Sequence, residues 1–177
     1  MYNLMPQQNT NISLYQASQA KDNCGFGLIV NRHGTQNRDV VTRSIAGLTS
    51  MTHRGAIGAD GKTGDGCGLL FDLNQTFFQK QIRKELKIKL PELFGIAQIF
   101  SSAALKKDLP AIKTILQSEN LVFECVREVP INASVLGEIA LESLPKINQI
   151  FITPISKDFN KERFESCLLQ ARKKMKN

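Results

Sequence analysis

The sequence predicts a mixed helix-and-strand domain, α+β or α/β, on three observations. Short apolar runs of strand length alternate with segments whose apolar residues recur at helical spacing. Gly and Pro punctuate the boundaries between them. The chain of 177 residues, 42% hydrophobic and 22% charged, has the size and composition of one globular domain able to bury a core. The order of elements does not by itself choose between the two classes.

Cys24 to Arg32, CGFGLIVNR, reads as a strand beginning at the cysteine, with Gly25 and Gly27 open to close backbone approach. Arg38 to Met51 reads as a helix through Val41, Ile45, Leu48 and Met51. The next segment, Gly55 to Gly68, holds half of the twelve glycines, which predicts a loop with tight backbone contacts or positive φ. Leu69 to Leu73 resumes as a strand, and Phe77 to Lys87 as a helix through Phe78, Ile82 and Leu86. Further strands are expected at Phe94 to Phe100, Leu121 to Val129 (ended by Pro130) and Ile147 to Ile152. Helices are expected at Leu109 to Gln117, at Ala133 to Glu142 and at Asn160 to Lys174, the last with Phe164, Leu168 and Ala171 on one face.

Composition excludes several function classes. The longest apolar runs, such as Leu121-Val122-Phe123 and Ile150-Phe151-Ile152, are far too short to cross a membrane. Met1 to Asn23 has no basic start and no apolar run, so it does not read as a signal peptide, and a cytoplasmic location is expected. The formal net charge of +7 invites a nucleic-acid reading, but the basic residues are dispersed, from Arg83, Lys84, Lys87 and Lys89 to Arg172, Lys173, Lys174 and Lys176. Two of these groups fall at helix ends, where cations complement the dipole. With two tyrosines and no tryptophan, there are few stacking platforms, and no nucleic-acid partner is expected.

The four cysteines, Cys24, Cys67, Cys125 and Cys167, form no Cys-x-x-Cys pair, and only two histidines exist to complete a metal set. Cys125 reads as a small core residue on a strand and Cys167 as part of the apolar stripe of the last helix. Gly61-Lys62-Thr63 suggests a phosphate loop, but the glycine required five positions earlier is replaced by Ala56. No helix pattern follows Thr63 to offer its N-terminus to phosphate. Cys24 taken alone reads as a buried strand terminus; to act as a nucleophile its thiol needs a base or cation close by.

Three stretches together carry more. DNCGFGLI at Asp22 to Ile29, MTHRGAIGADGKTGDGCGLL at Met51 to Leu70, and REVPINASVLGEIALESLPKINQIFI at Arg127 to Ile152 closely resemble class-II glutamine amidotransferases, in the form found at the front of glutamate synthase large subunits. The resemblance covers nearly the whole chain from Asp22 onward. It implies an α+β fold, part of a four-layer αββα sandwich of the N-terminal-nucleophile hydrolase type. It also implies a division into a leader, residues 1–23, and the front portion of the amidotransferase domain, residues 24–177. Removal of the leader makes Cys24 the N-terminal nucleophile. Its α-amine, which titrates at about 7.7–8.0, is then available as the base. By the same resemblance Arg54 holds the nucleophile end of the site, and Asp65 and Gly68 match the D-x-x-G that supports the loop after His53-Arg54-Gly55.

The family pattern is incomplete here. No Asn-Gly dipeptide occurs to form the oxyanion hole, and no arginine opens the motif that binds the glutamine carboxylate. The expectation is therefore a truncated product or fragment, inactive alone, with glutamine as substrate by resemblance and the remainder of a split glutamate synthase as a candidate partner. No cofactor is expected in this chain, since the FMN and iron–sulfur regions of the resembled enzyme fall outside it. The alternative is a non-catalytic remnant or interaction piece.

Overall fold

The computed structural model describes residues 25–51, 57–64, 66–101 and 105–175. They fall into two units, residues 1–55 with 67–69 and residues 56–66 with 70–177.

In the first unit the one regular element is helix α1, Arg38–Ser50. The Asn37 side chain caps it by accepting a hydrogen bond from the Asp39 amide at 2.9 Å. Arg43 and Asp39, one turn apart, pair at 2.7 Å on the exposed face. The expected apolar stripe is present, with Val41, Leu48 and Met51 half-buried, but no residue of α1 is fully buried.

The second unit contains helix α2 (Gln75–Leu86), strand β1 (Gly95–Ser101), helix α3 (Leu109–Ser118) and strand β2 (Leu121–Glu128). Helix α4 (Glu138–Glu142), strand β3 (Lys146–Pro154) and helix α5 (Lys161–Lys174) complete it. The strands form one sheet in the order β1-β3-β2, with β3 antiparallel to both neighbours. β1 and β2 therefore run parallel on either side of it, a split β-α-β arrangement with α3 in the crossover. The antiparallel pairing settles the class: this is α+β.

Alternation along β3 builds two cores from one strand. Ile150 and Ile152 face a cluster with Ile112 and Leu116 of α3, Leu121, and Phe164 and Ala171 of α5. Phe151 faces the other way, onto Ile82 of α2, Leu90, Phe94 and Cys125. Phe151 and Ile150 are completely buried, and truncation of such a phenylalanine to alanine costs about 3–5 kcal/mol. A bulge in β2 between Phe123 and Cys125 resets the pairing, so that Phe123 lies opposite Ile152 and Cys125 opposite Phe151. Without that extra residue, the second half of β2 would present its side chains to the wrong core.

A polar ladder ties α2 to the sheet. Arg127 on β2 donates through Nε to Glu85 at 2.6 Å and through Nη2 to the other carboxylate oxygen at 3.2 Å. Its Nη1 donates to Gln149 at 3.1 Å, and Gln149 donates to Gln98 on β1 at 3.5 Å. The guanidinium is nearly enclosed, so a bidentate carboxylate and an amide oxygen replace its water. Asn74 and Asn160 cap α2 and α5, and basic residues crowd their last turns, as the charge pattern implies.

Three expectations change. Residues 25–32 and 69–73 form no strand; Phe26 and Leu28 are 92% and 85% exposed, and Leu70 is fully exposed. A strand exists only through the ladder bonds of a neighbour, and alternating apolar residues do not supply one. Ala133 to Glu142 is not one helix: a 3₁₀ turn at Ala133–Val135 is separated from α4 by extended Leu136 and Gly137. Asn132 ends the first piece by capping Ser134 at 3.2 Å. Among the described residues one three-stranded sheet is present.

Arg127 holds the Glu85 carboxyl below its ordinary value, aided by the Gln81 amide. A lowered folded-state value means that the stabilisation is fully present above the unfolded value of about 4.3 and is lost as pH falls through the folded one. Glu85→Gln is therefore expected to lower the urea midpoint at pH 7, with the gap to the parent closing as pH is taken below about 4. A gap that is independent of pH would show that the Glu85 charge contributes nothing to it.

Candidate functional site

The glycine-rich loop is the best-defined constellation among the described residues. Ile57 and Gly64 form an isolated antiparallel bridge, and the Gly58 amide donates to the Thr63 carbonyl at 2.6 Å. The chain reverses through Gly61, whose φ of +65 suits a residue without Cβ, and whose amide donates to the Gly58 carbonyl at 3.0 Å.

Asp60 organises this turn. Its Oδ1 accepts from the amides of Thr63 at 2.7 Å and Lys62 at 3.0 Å. Its Oδ2 accepts from the Thr63 hydroxyl at 2.5 Å and, across the unit, from the Ile139 amide at 3.3 Å. The Thr63 Oγ1 in turn accepts from the Ala140 amide at 3.2 Å. The Thr63 hydroxyl, then the amides of Thr63, Lys62 and Ile139, hold the Asp60 carboxyl far below the usual carboxylate range. The loop thus rests on the backbone of 137–140. Gly137 permits the approach: a Cβ there would lie 2.2 Å from Asp60 Oδ2 and 2.4 Å from Thr63 Oγ1.

These contacts also dispose of the phosphate-loop motif. The Thr63 hydroxyl is engaged by Asp60 and Ala140, and the residues after Gly64 do not enter a helix until Gln75. Among the described residues no group of three or more His, Cys, Asp or Glu is gathered as a metal would need. No helix among them is long and apolar enough to cross a membrane.

Of the residues singled out by sequence, Cys24, Arg54 and Asp65 lie outside the described residues. Gly68 is described and exposed, with open space where a Cβ would stand. Cys67 is an exposed free thiol. Cys125 is a buried core residue on β2, as its neighbours imply, and burial, then the adjacent Glu124 charge, pushes its thiol up to about 11. Cys167 packs against the α3–α5 side of the sheet. Sequence reasoning missed Asp60, Thr63 and Gly137. Their signal was present, since an Asp three residues before a Thr within a glycine-rich run is a side-chain-capped turn.

Two of the three stretches that carry the family resemblance, Met51 to Leu70 and Arg127 to Ile152, are joined by the Asp60–Ile139 and Thr63–Ala140 bonds. The profile of the class-II glutamine amidotransferases matches residues 24–177, and the chain belongs to that family. Among its relatives, the NADPH glutamate synthase large chain of Bacillus subtilis is 33% identical over 179 residues, covering 99% of this chain and 12% of that protein. The NADH glutamate synthase of Saccharomyces cerevisiae is 31% identical over 184 residues, covering 97% of this chain and 8% of that protein. The ferredoxin-dependent glutamate synthase of Pyropia yezoensis is 33% identical over 165 residues, covering 92% and 11% respectively. This sequence therefore spans about a tenth of the length of these relatives.

The thiols give a direct check. With its thiol pushed up to about 11, Cys125 holds about one part in a thousand as thiolate at pH 8. Iodoacetamide is expected to label exposed Cys67 at least about a hundredfold faster than Cys125, with the difference abolished in urea. Equal labelling of both in the native protein would contradict the packing of β2.

Proposed function

We propose that this chain is the nucleophile-bearing portion of a glutamine amidotransferase domain of the glutamate synthase kind, acting in glutamate formation. The observation that carries the reading is the family match, which starts at Cys24 itself. In this reading residues 1–23 are a leader, and its removal frees the Cys24 α-amine to take the thiol proton at about pH 7.7–8.0. The thiolate attacks the side-chain amide carbon of glutamine. The tetrahedral intermediate collapses, the amide nitrogen leaves as ammonia with the transferred proton, and a glutamyl thioester remains. Water then cleaves the thioester to give glutamate and restores the thiol.

Arg54 steadies the nucleophile end of the site, while Asp65 and Gly68 support the loop beside it. The four-layer αββα sandwich is the proposed full arrangement, of which the α+β unit is one part. The 177 residues contain no Asn-Gly pair and no arginine-led carboxylate clamp. Loss of a single oxyanion donor costs about 10²–10³ in turnover, so the 177-residue chain alone is expected to turn over negligibly. Its proposed partner is polypeptide of the glutamate synthase kind that supplies those donors. A second reading, a non-catalytic interaction piece, is favoured by the exposure of Phe26, Leu28, Leu70 and Phe71.

Intact mass of the protein made in its native host is expected to show a form beginning at Cys24. Retention of Met1 with no trace of that form would count against processing. Ammonia release from glutamine is expected to match that of Cys24→Ala, both near background. Robust turnover abolished by the substitution would show that other residues of this chain supply the oxyanion and carboxylate contacts.

A further inference from the structure

Loop 57–64 contributes no buried residue to either core; its single large apolar side chain, Ile57, is 64% exposed. It is nevertheless held at a defined place. Asp60 and Thr63 reach across the unit to two consecutive backbone amides, Ile139 and Ala140, some 77 to 79 positions away in sequence. The seat is shaped for them, because any side chain at Gly137 would occupy the space of both oxygens. The interruption between the 3₁₀ turn and α4 is what leaves Gly137 extended, at φ −76 and ψ 161, under the loop.

Packing does not account for such a clamp, since the loop adds nothing apolar that needs covering. Its ends do. The Ile57–Gly64 bridge brings the two ends side by side. Arg54 stands three residues before Ile57, a reach of at most about 11 Å, and Asp65 directly follows Gly64.

We propose that Asp60 and Thr63 are positioning residues: by latching the loop to the backbone of 137–140, they fix the point from which the Arg54 and Asp65 flanks depart. The latch makes the segment around Gly137 a working part of the amidotransferase site, although it has no residue of the reacting kind. The inference rests on the amidotransferase reading, in which Arg54 serves the Cys24 thiolate.

The test compares Thr63→Val and Gly137→Ala, which remove the hydroxyl or its seat, with Thr63→Ser, which keeps the hydroxyl. Amide hydrogen exchange is read at residues 57–64, 137–140 and along β3, and the pH profile of iodoacetamide alkylation at Cys24 is read by peptide mass spectrometry. Expected is at least about tenfold faster exchange in the two latch segments of the Val and Ala variants, with β3 unchanged and Cys125 unlabelled as the control against global unfolding. The midpoint of the Cys24 profile is expected to rise by about one unit, a tenfold loss of thiolate below it, and to return to the parent value in Thr63→Ser. Unchanged exchange at both segments would overturn the latch. Faster exchange with an unmoved Cys24 profile would overturn the positioning role. A parent Cys24 profile no different from that of Cys67 would instead sink the amidotransferase reading and the positioning role together, while the exchange result still decides whether the latch exists.

Discussion

Strand β3 is the member on which the described structure depends, because one strand is asked to serve two cores. Ile150 and Ile152 anchor the side covered by α3 and α5, and Phe151 between them anchors the side covered by α2. A slip of one residue would exchange these faces and put each side chain against the wrong partner. Register is therefore enforced by burial from both directions, and β1 and β2 are fixed by pairing to a strand that cannot move. The bulge at Phe123/Cys125 is the one adjustment needed for β2 to match both halves of it.

The polar contacts divide into two kinds with different purposes. Arg127, Glu85, Gln149 and Gln98 form a ladder that stitches α2 to all three strands, satisfying a guanidinium that the packing has nearly enclosed. Asp60 and Thr63 instead hold a loop that the cores do not need. A carboxylate with one hydroxyl and three amide donors stays ionised throughout the physiological range, so this attachment is insensitive to ordinary changes of pH. The chain thus joins a rigid sheet to a glycine-rich segment by hydrogen bonds alone. Such an attachment is specific in direction yet exposes no apolar surface when it opens.

Legibility in the sequence followed the local content of each element. From Gln75 to Lys174 the helices and strands were readable to within a few residues, since each carries its own period, cap or proline stop, as in Asn74, Asn160 and Pro130. The stretches at 25–32 and 69–73 carry the same alternation, yet they form no ladder. The difference lies outside the segments themselves, in the presence of a neighbour. The candidate site divides likewise. Cys24, Arg54, Asp65 and Gly68 were found by motif, but motif comparison ranks reactive residue types and passes over Asp60, whose work is done on backbone amides.

What the sequence by itself determined is the family, the inventory of chemistry-bearing residues and the local periods, all of which are properties of neighbouring positions and of motif identity. Only the tertiary structure decided which distant residues meet. It made β3 the middle strand, turned Cys125 towards Phe151, and set Gly137 beneath Asp60. The physical reason is that such meetings are chosen by the burial of whole faces and by the reach of the backbone. Neither is written in any one segment, and a missing Cβ at Gly137 acquires its meaning only when a carboxylate from 77 positions away arrives in its place.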